Sequence, residues 1–203
     1  MKAAETTSYR ITLTEFTIAF VSFGLLLGVA LMAAETNMDV GMYRTIYSFW
    51  VTAALVIPAL CAFVLPGDSP RIRTTWLLFW TFSFLAYLVH ASYAVLSVYH
   101  GSFHEFLAGQ GAFPAINNAI FTLWWALDLA LAWWVHSGAR WIRIERVAAH
   151  IYIGLTFVAS TLFLKHGFVN VIGIVLTASV VICLMINFDA RRSVKRRESA
   201  MAG

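Results

Sequence analysis

Apolar residues fall along this chain in six blocks of roughly twenty, each bounded by polar, basic or helix-breaking positions. In hydrocarbon every backbone amide needs an internal partner, so a spanning segment is a helix or part of a closed barrel. Barrel strands are about ten residues long and alternate in polarity. These blocks are twice that length and do not alternate. The pattern therefore predicts six membrane-crossing helices, at 11–34, 45–65, 75–99, 115–136, 147–164 and 168–188. At ~1.5 Å per residue, ~20 residues cross a ~30 Å core, so the fifth is short unless it begins earlier, near Trp141. The expected fold class is an all-α integral membrane protein: one six-helix bundle over 1–203, with 189–203 as a basic tail.

Local signals support these divisions. Pro66, Gly67, Asp68 and Pro70 close the second block, and Gly109, Gly111 and Pro114 precede the fourth. Pro114 falls near a first turn, where its missing N–H costs nothing. Pro58, inside the second block, removes one helical hydrogen bond and predicts a kink. Thr12 and Glu15 have the spacing of a capping box, which makes Glu15 a helix-end acid. The first block begins after a basic start and ends in small residues, as a signal peptide does. Its apolar run is longer than the 7 to 15 residues of a signal h-region, so it is read as a retained helix.

Composition then fixes the solvent. Of 203 residues, 61% are hydrophobic and only 12% charged, with mean hydropathy +0.77. A soluble domain carries about 25% charged residues, so lipid must replace water around most of this chain. The same figures exclude disorder, collagen and a disulfide-rich scaffold. Twelve of the fourteen Lys and Arg residues fall on the side that holds both chain ends; Arg44 and Lys165 alone fall on the other. The positive-inside rule then places both termini in the cytoplasm, in a membrane of the bacterial inner type. Trp76, Trp80, Trp133, Trp134 and Trp141 are expected as interfacial anchors at the inner rim, and Tyr43, Tyr47 and Trp50 at the outer. The net charge of +4 and pI near 9.3 arise from residues at membrane edges, so they do not call for nucleic acid. The run Arg191 to Arg197 suits anionic lipid headgroups.

Ionisable groups inside a bilayer are costly and need a reason. Two stand out, His90 in the third span and Asp128 in the fourth, at depths differing by ~6 Å. Tyr87, His90 and Tyr93 share one stripe of the third helix; Asn117, Phe121, Trp124 and Asp128 share one of the fourth. These stripes predict a polar pocket between the two helices, with His90, Asp128, Tyr87, Tyr93, Asn117 and Trp124 binding a cofactor or relaying protons. The alternative is that His90 and Asp128 only hold helices together.

A second set lies on the outer side. His100 and His104 are spaced i, i+4, with Glu105 beside them and His166 from another loop, a donor set that suits copper, zinc or iron. Gly101 weakens the helix this spacing assumes. His136 and His150, both at the inner rim, provide a possible pair of axial haem ligands. Cys61 and Cys183 lie at similar depth near the cytoplasmic side, where thiols stay reduced. No phosphate-binding loop, dinucleotide fingerprint, zincin motif or nucleophile elbow is present.

These residues support a cofactor-binding or accessory subunit of a membrane redox system, with haem b, copper or iron as candidate cofactors. Competing readings are a small proton-coupled transporter or channel, an outward-facing metal-dependent membrane enzyme, and a subunit that merely packs against other membrane subunits. For such packing the small residues Gly24, Gly28, Ala30, Gly173 and Ala178 allow close approach.

Overall fold

The computed structural model describes residues 11–66, 69–135, 137–164 and 167–201. Among them the regular elements are all helical: α1 Leu13–Ala34, α2 Val40–Val64, α3 Pro70–Tyr93, α4 Phe103–Gln110, α5 Ala112–Trp134, α6 Arg140–Ala159 and α7 Phe168–Met201. Six of these are long and apolar enough to cross a membrane, and α4 is the short exception. Two helices widen at their ends into turns with i→i+5 bonding, Ala94–Val98 after α3 and Ser160–Leu164 after α6.

Several helices start upstream of the hydropathy pattern, and α1 and α2 start at side-chain caps. Thr12 caps α1 through the expected box: Glu15 N–H donates to Thr12 Oγ1 (3.2 Å) and Thr12 N–H to Glu15 Oε2 (3.0 Å). Asp39 caps α2, accepting from Met42 N–H at 3.0 Å, so that helix begins at Val40 rather than at 45. Pro70 takes the first position of α3. The largest revision is α6, which begins at Arg140 rather than at 147. It carries Arg140, Arg143 and Arg146 on the helix itself. At the other end of the chain the basic tail is helical, continuing α7 to Met201. Gly111, at φ 83°, is the single joint between α4 and α5, a conformation that favours glycine.

Helices α2 and α3 pack most extensively, with α7 and α1 also against α2. The core contains Val56, Ala59, Leu77, Trp80, Trp125, Ile153, Phe157 and Leu176. Small residues let backbones approach: a Cβ on Gly173 would stand 2.9 Å from Thr161 Cβ. Gly24 and Gly28 do not act in this way within the chain, since a Cβ on either meets nothing within 4 Å. Only Ala19 and Ala34 of α1 are buried. Its Phe16, Phe20 and Phe23 surround the Phe82 ring at 5.4 to 6.0 Å.

Candidate functional site

Because α6 starts early, Glu145, Arg146 and His150 face inward across from α3 and α5. The carboxylate of Asp128, fully buried, accepts from Trp80 Nε1 at 2.7 Å and faces Arg146 Nε at 3.3 Å. Arg146 also lies over the Trp76 ring, 4.8 Å from its centroid. Trp76 Nε1 donates to His150 Nε2 at 2.7 Å, and His150 Nδ1 donates to the Arg146 carbonyl at 2.8 Å. An indole can only donate and a carbonyl only accept, so these partners define the neutral imidazole with its proton on Nδ1. The 3.9 Å approach of His150 to Asp128 is therefore not an ion pair. Phe63 and Trp80 sandwich the imidazole, with centroids at 3.8 and 4.1 Å. Beside this cluster, Trp124 Nε1 donates to Glu145 Oε1 at 3.0 Å. The result is a polar brace across α3, α5 and α6, in which Glu145 Oε2 is buried without a hydrogen-bond partner. Both nitrogens of His150 are engaged, so a haem-ligand role would first have to break the Trp76 bond; His136, its suggested partner, lies outside the described residues.

His90 belongs to a different place. Its Nδ1 donates to the Thr45 carbonyl of α2 at 2.8 Å, which in the neutral ring makes Nε2 the acceptor nitrogen. His90 lines two cavities. One, of about 320 Å³, lies between α3, α4 and α5, with Tyr87, Gln110, Asn118 and Thr122 on its wall. The other, of about 480 Å³, is bounded by α2, the wide turn after α3, Gln110 and Ser160. His90, Ala94 and Gln110 are common to both. Within the wall Asn118 Nδ2 donates to Gln110 Oε1 at 2.8 Å, so the Gln110 amide NH₂ is the donor end, and Tyr87 OH pairs with Thr122 Oγ1 at 2.9 Å. Both wide turns border the larger cavity, through Ala94, Val98 and Ser160. Such turns recur at functional sites because they re-aim side chains at the expense of regular bonding.

A cavity does lie between α3 and α5, the third and fourth apolar blocks, but its lining differs from the two stripes. Tyr87 and His90 line it; Asp128, Asn117 and Trp124 do not. The stripe of α5 that carries those three faces α6: Tyr152 OH donates to Asn117 Oδ1 at 2.7 Å, and the Tyr152 ring stacks on Trp124 at 5.2 Å. Between His90 and Asp128 stand the rings of Tyr87, Trp125 and Trp80, in contact at 4.7 to 6.1 Å. Tyr93 lies under the Arg44 guanidinium at 5.6 Å.

His100 precedes α4, in a turn at φ 49°, while His104 and Glu105 sit exposed on the helix. The helical i, i+4 geometry is therefore lost: Ser102 caps α4 by accepting from Glu105 N–H at 3.2 Å, which places the helix start after His100. Among the described residues no three His, Cys, Asp or Glu side chains form a group able to hold a metal ion; His166 lies outside them. Compared with family models, curated proteins and solved structures, the chain matches none.

Sequence reasoning missed Arg146, counting it as loop charge, and missed Trp76 and Trp80, taken as interfacial anchors but 5% and 0% exposed. The available signal was Asp128 itself. A buried carboxylate needs a countercharge, and Arg140, Arg143 and Arg146 all stand one hairpin away. Trp134 and Trp141, by contrast, are exposed.

Proposed function

We propose that the chain is a multi-pass protein of a bacterial inner membrane with both termini cytoplasmic, and that it serves a membrane redox system as a ligand-binding subunit. The twelve-to-two asymmetry of basic residues supports the orientation. The ligand is a membrane-soluble quinone in its reduced, dihydroxy form, an apolar ring with one hydroxyl donating to the acceptor nitrogen Nε2 of His90. The observation that carries this reading is the placement of His90, oriented by the Thr45 carbonyl, on a wall shared by two cavities. Their volumes fall in the range of small-molecule sites, ~300–1,000 Å³. Gln110 supplies an amide donor beside the imidazole, and the remainder of the lining is mostly apolar.

The test is to purify the chain from its membrane, extract bound quinone, and titrate a short-chain quinone held in its reduced form while following tryptophan fluorescence. The reading expects saturable quenching, weakened at least about tenfold in His90→Ala and in Gln110→Leu, the loss of one good hydrogen bond to ligand. Visible absorption with a Soret band lost in His90→Ala would replace quinone with haem. A colourless protein with no quenching removes the reading.

A second reading, proton-coupled transport, draws on Asp128, a carboxylate buried among three spanning helices. Proteoliposome flux unaltered by Asp128→Asn would end it.

A further inference from the structure

A groove of about 280 Å³ opens sideways between α6 and α7, with α2 as its floor. Its walls are Ile151 and Leu155 on α6 and Val181 and Leu184 on α7, 47 to 63% exposed, over buried Leu176. Gly154 keeps it open, since a Cβ there would meet only Leu60 methyls, at 3.4 Å and beyond. The groove runs from His150 to Val158 on one wall and from Leu176 to Leu184 on the other, ~12 Å in each case. One leaflet of a ~30 Å core is ~15 Å deep.

Its polarity changes abruptly at the end nearer the start of α6. There Asn187 Nδ2 donates to the Val64 carbonyl, and Arg191 Nε donates to Asn187 Oδ1 at 2.7 Å. Asn187 and Arg191 continue the face of Leu184 at i+3 and i+7. On α6 the face of Ile151 continues through Val147 to Arg143 and Arg140. Arg140, Arg143 and Arg191 are exposed. The nearby acids point elsewhere: Glu145 is bonded to Trp124, and Asp189 sits ~200° around α7 from Asn187. An apolar slot one leaflet deep therefore ends in a cationic rim contributed by two helices.

We propose that this groove is a site for one phospholipid with an anionic headgroup, an acyl chain lying between α6 and α7 and the phosphate meeting Arg140, Arg143 and Arg191. Charge complementarity selects this occupant. A second copy of the chain would bring the same arginines against their counterparts. The inference rests on the membrane reading but not on the ligand at His90, which lies in the other half of the bundle.

The test is native mass spectrometry of the full chain in detergent, with equal phosphatidylglycerol and phosphatidylcholine of matched acyl chains. The expected result is one retained phosphatidylglycerol, preferred about tenfold or more. Joint replacement R140Q, R143Q and R191Q should reduce the preference to about twofold or less, and Gly154→Leu should abolish retention of both lipids. On the unaltered chain, phosphatidylglycerol bearing an acyl diazirine should label residues 150–158 and 176–184. Equal retention of the two lipids, labelling elsewhere, or a dimer whose interface protects the groove would each overturn the proposal while leaving quinone binding at His90 untouched.

Discussion

Replacing Asp128 with alanine removes the charge that faces Arg146 and the acceptor that holds Trp80. Truncating one partner of a buried ion pair costs about 3–5 kcal/mol, mostly from the charge left behind. The Arg146 side chain retains 20% exposure and stacks on Trp76, so the lower end applies, about 3 kcal/mol. Leaving Trp80 Nε1 without an acceptor adds about 1 kcal/mol. The expected loss is therefore about 4 kcal/mol, well above the ~0.6 kcal/mol average for hydrogen bonds between membrane helices. Asp128→Asn keeps an acceptor for Trp80 and should lose about 2 kcal/mol. Equilibrium unfolding in mixed micelles, followed by tryptophan fluorescence, measures each value. The cycle with Arg146→Met is the decisive comparison: the double variant should be more stable than the sum of the singles predicts by at least about 1 kcal/mol. If Asp128→Ala costs under about 0.5 kcal/mol, or the cycle is additive within that margin, the two groups are not paired in a low-dielectric brace.

Other substitutions probe separate parts of the same geometry. Trp76→Phe keeps the apolar bulk but removes the donor to His150, with an expected cost of about 1–2 kcal/mol in the same assay. Gly173→Val forces a side chain into Thr161, and an expected loss of about 1–3 kcal/mol should appear as a lowered melting temperature in detergent. Cys61 and Cys183 are free thiols on α2 and α7, helices packed against each other, so dibromobimane should bridge them and become fluorescent, and Cys183→Ser should abolish the signal. Tyr87→Phe deletes the bond to Thr122, with an expected cost of about 0.5–1.5 kcal/mol, and should also alter quinone titration because Tyr87 lines the smaller cavity.

The six long helices were legible in the sequence because a long apolar run marks each of them. Helix ends were less so, because hydropathy reports where apolar side chains begin, and a helix can run on through charged residues. The short fifth block pointed to a start near Trp141, and α6 begins at Arg140, but an inward role for Glu145 and Arg146 was not legible. Charged residues also have good helix propensity, so α7 continues through Arg191 and Arg192 well beyond its apolar stretch. Within the site, His90 and Tyr87 could be read from the stripe they share. The partition of His90 from Asp128 could not: which helix a stripe faces depends on how the bundle closes, and Asn117, Trp124 and Asp128 were matched to α3 when their main neighbour is α6. Trp76 and Trp80 were misjudged for a related reason. A tryptophan near a helix end resembles an anchor until a buried acceptor such as Asp128 or His150 claims its N–H.

The spacing of Asp128 and Arg146, 18 residues apart on consecutive helices, bears on how the chain is made. Alone within a spanning helix, an aspartate adds up to about 3 kcal/mol to the free energy of leaving the translocon. At a synthesis rate of ~5–20 residues per second, its arginine emerges about one to four seconds later. The fourth and fifth spans should therefore be released into lipid together as a hairpin, already neutralised, rather than one after the other.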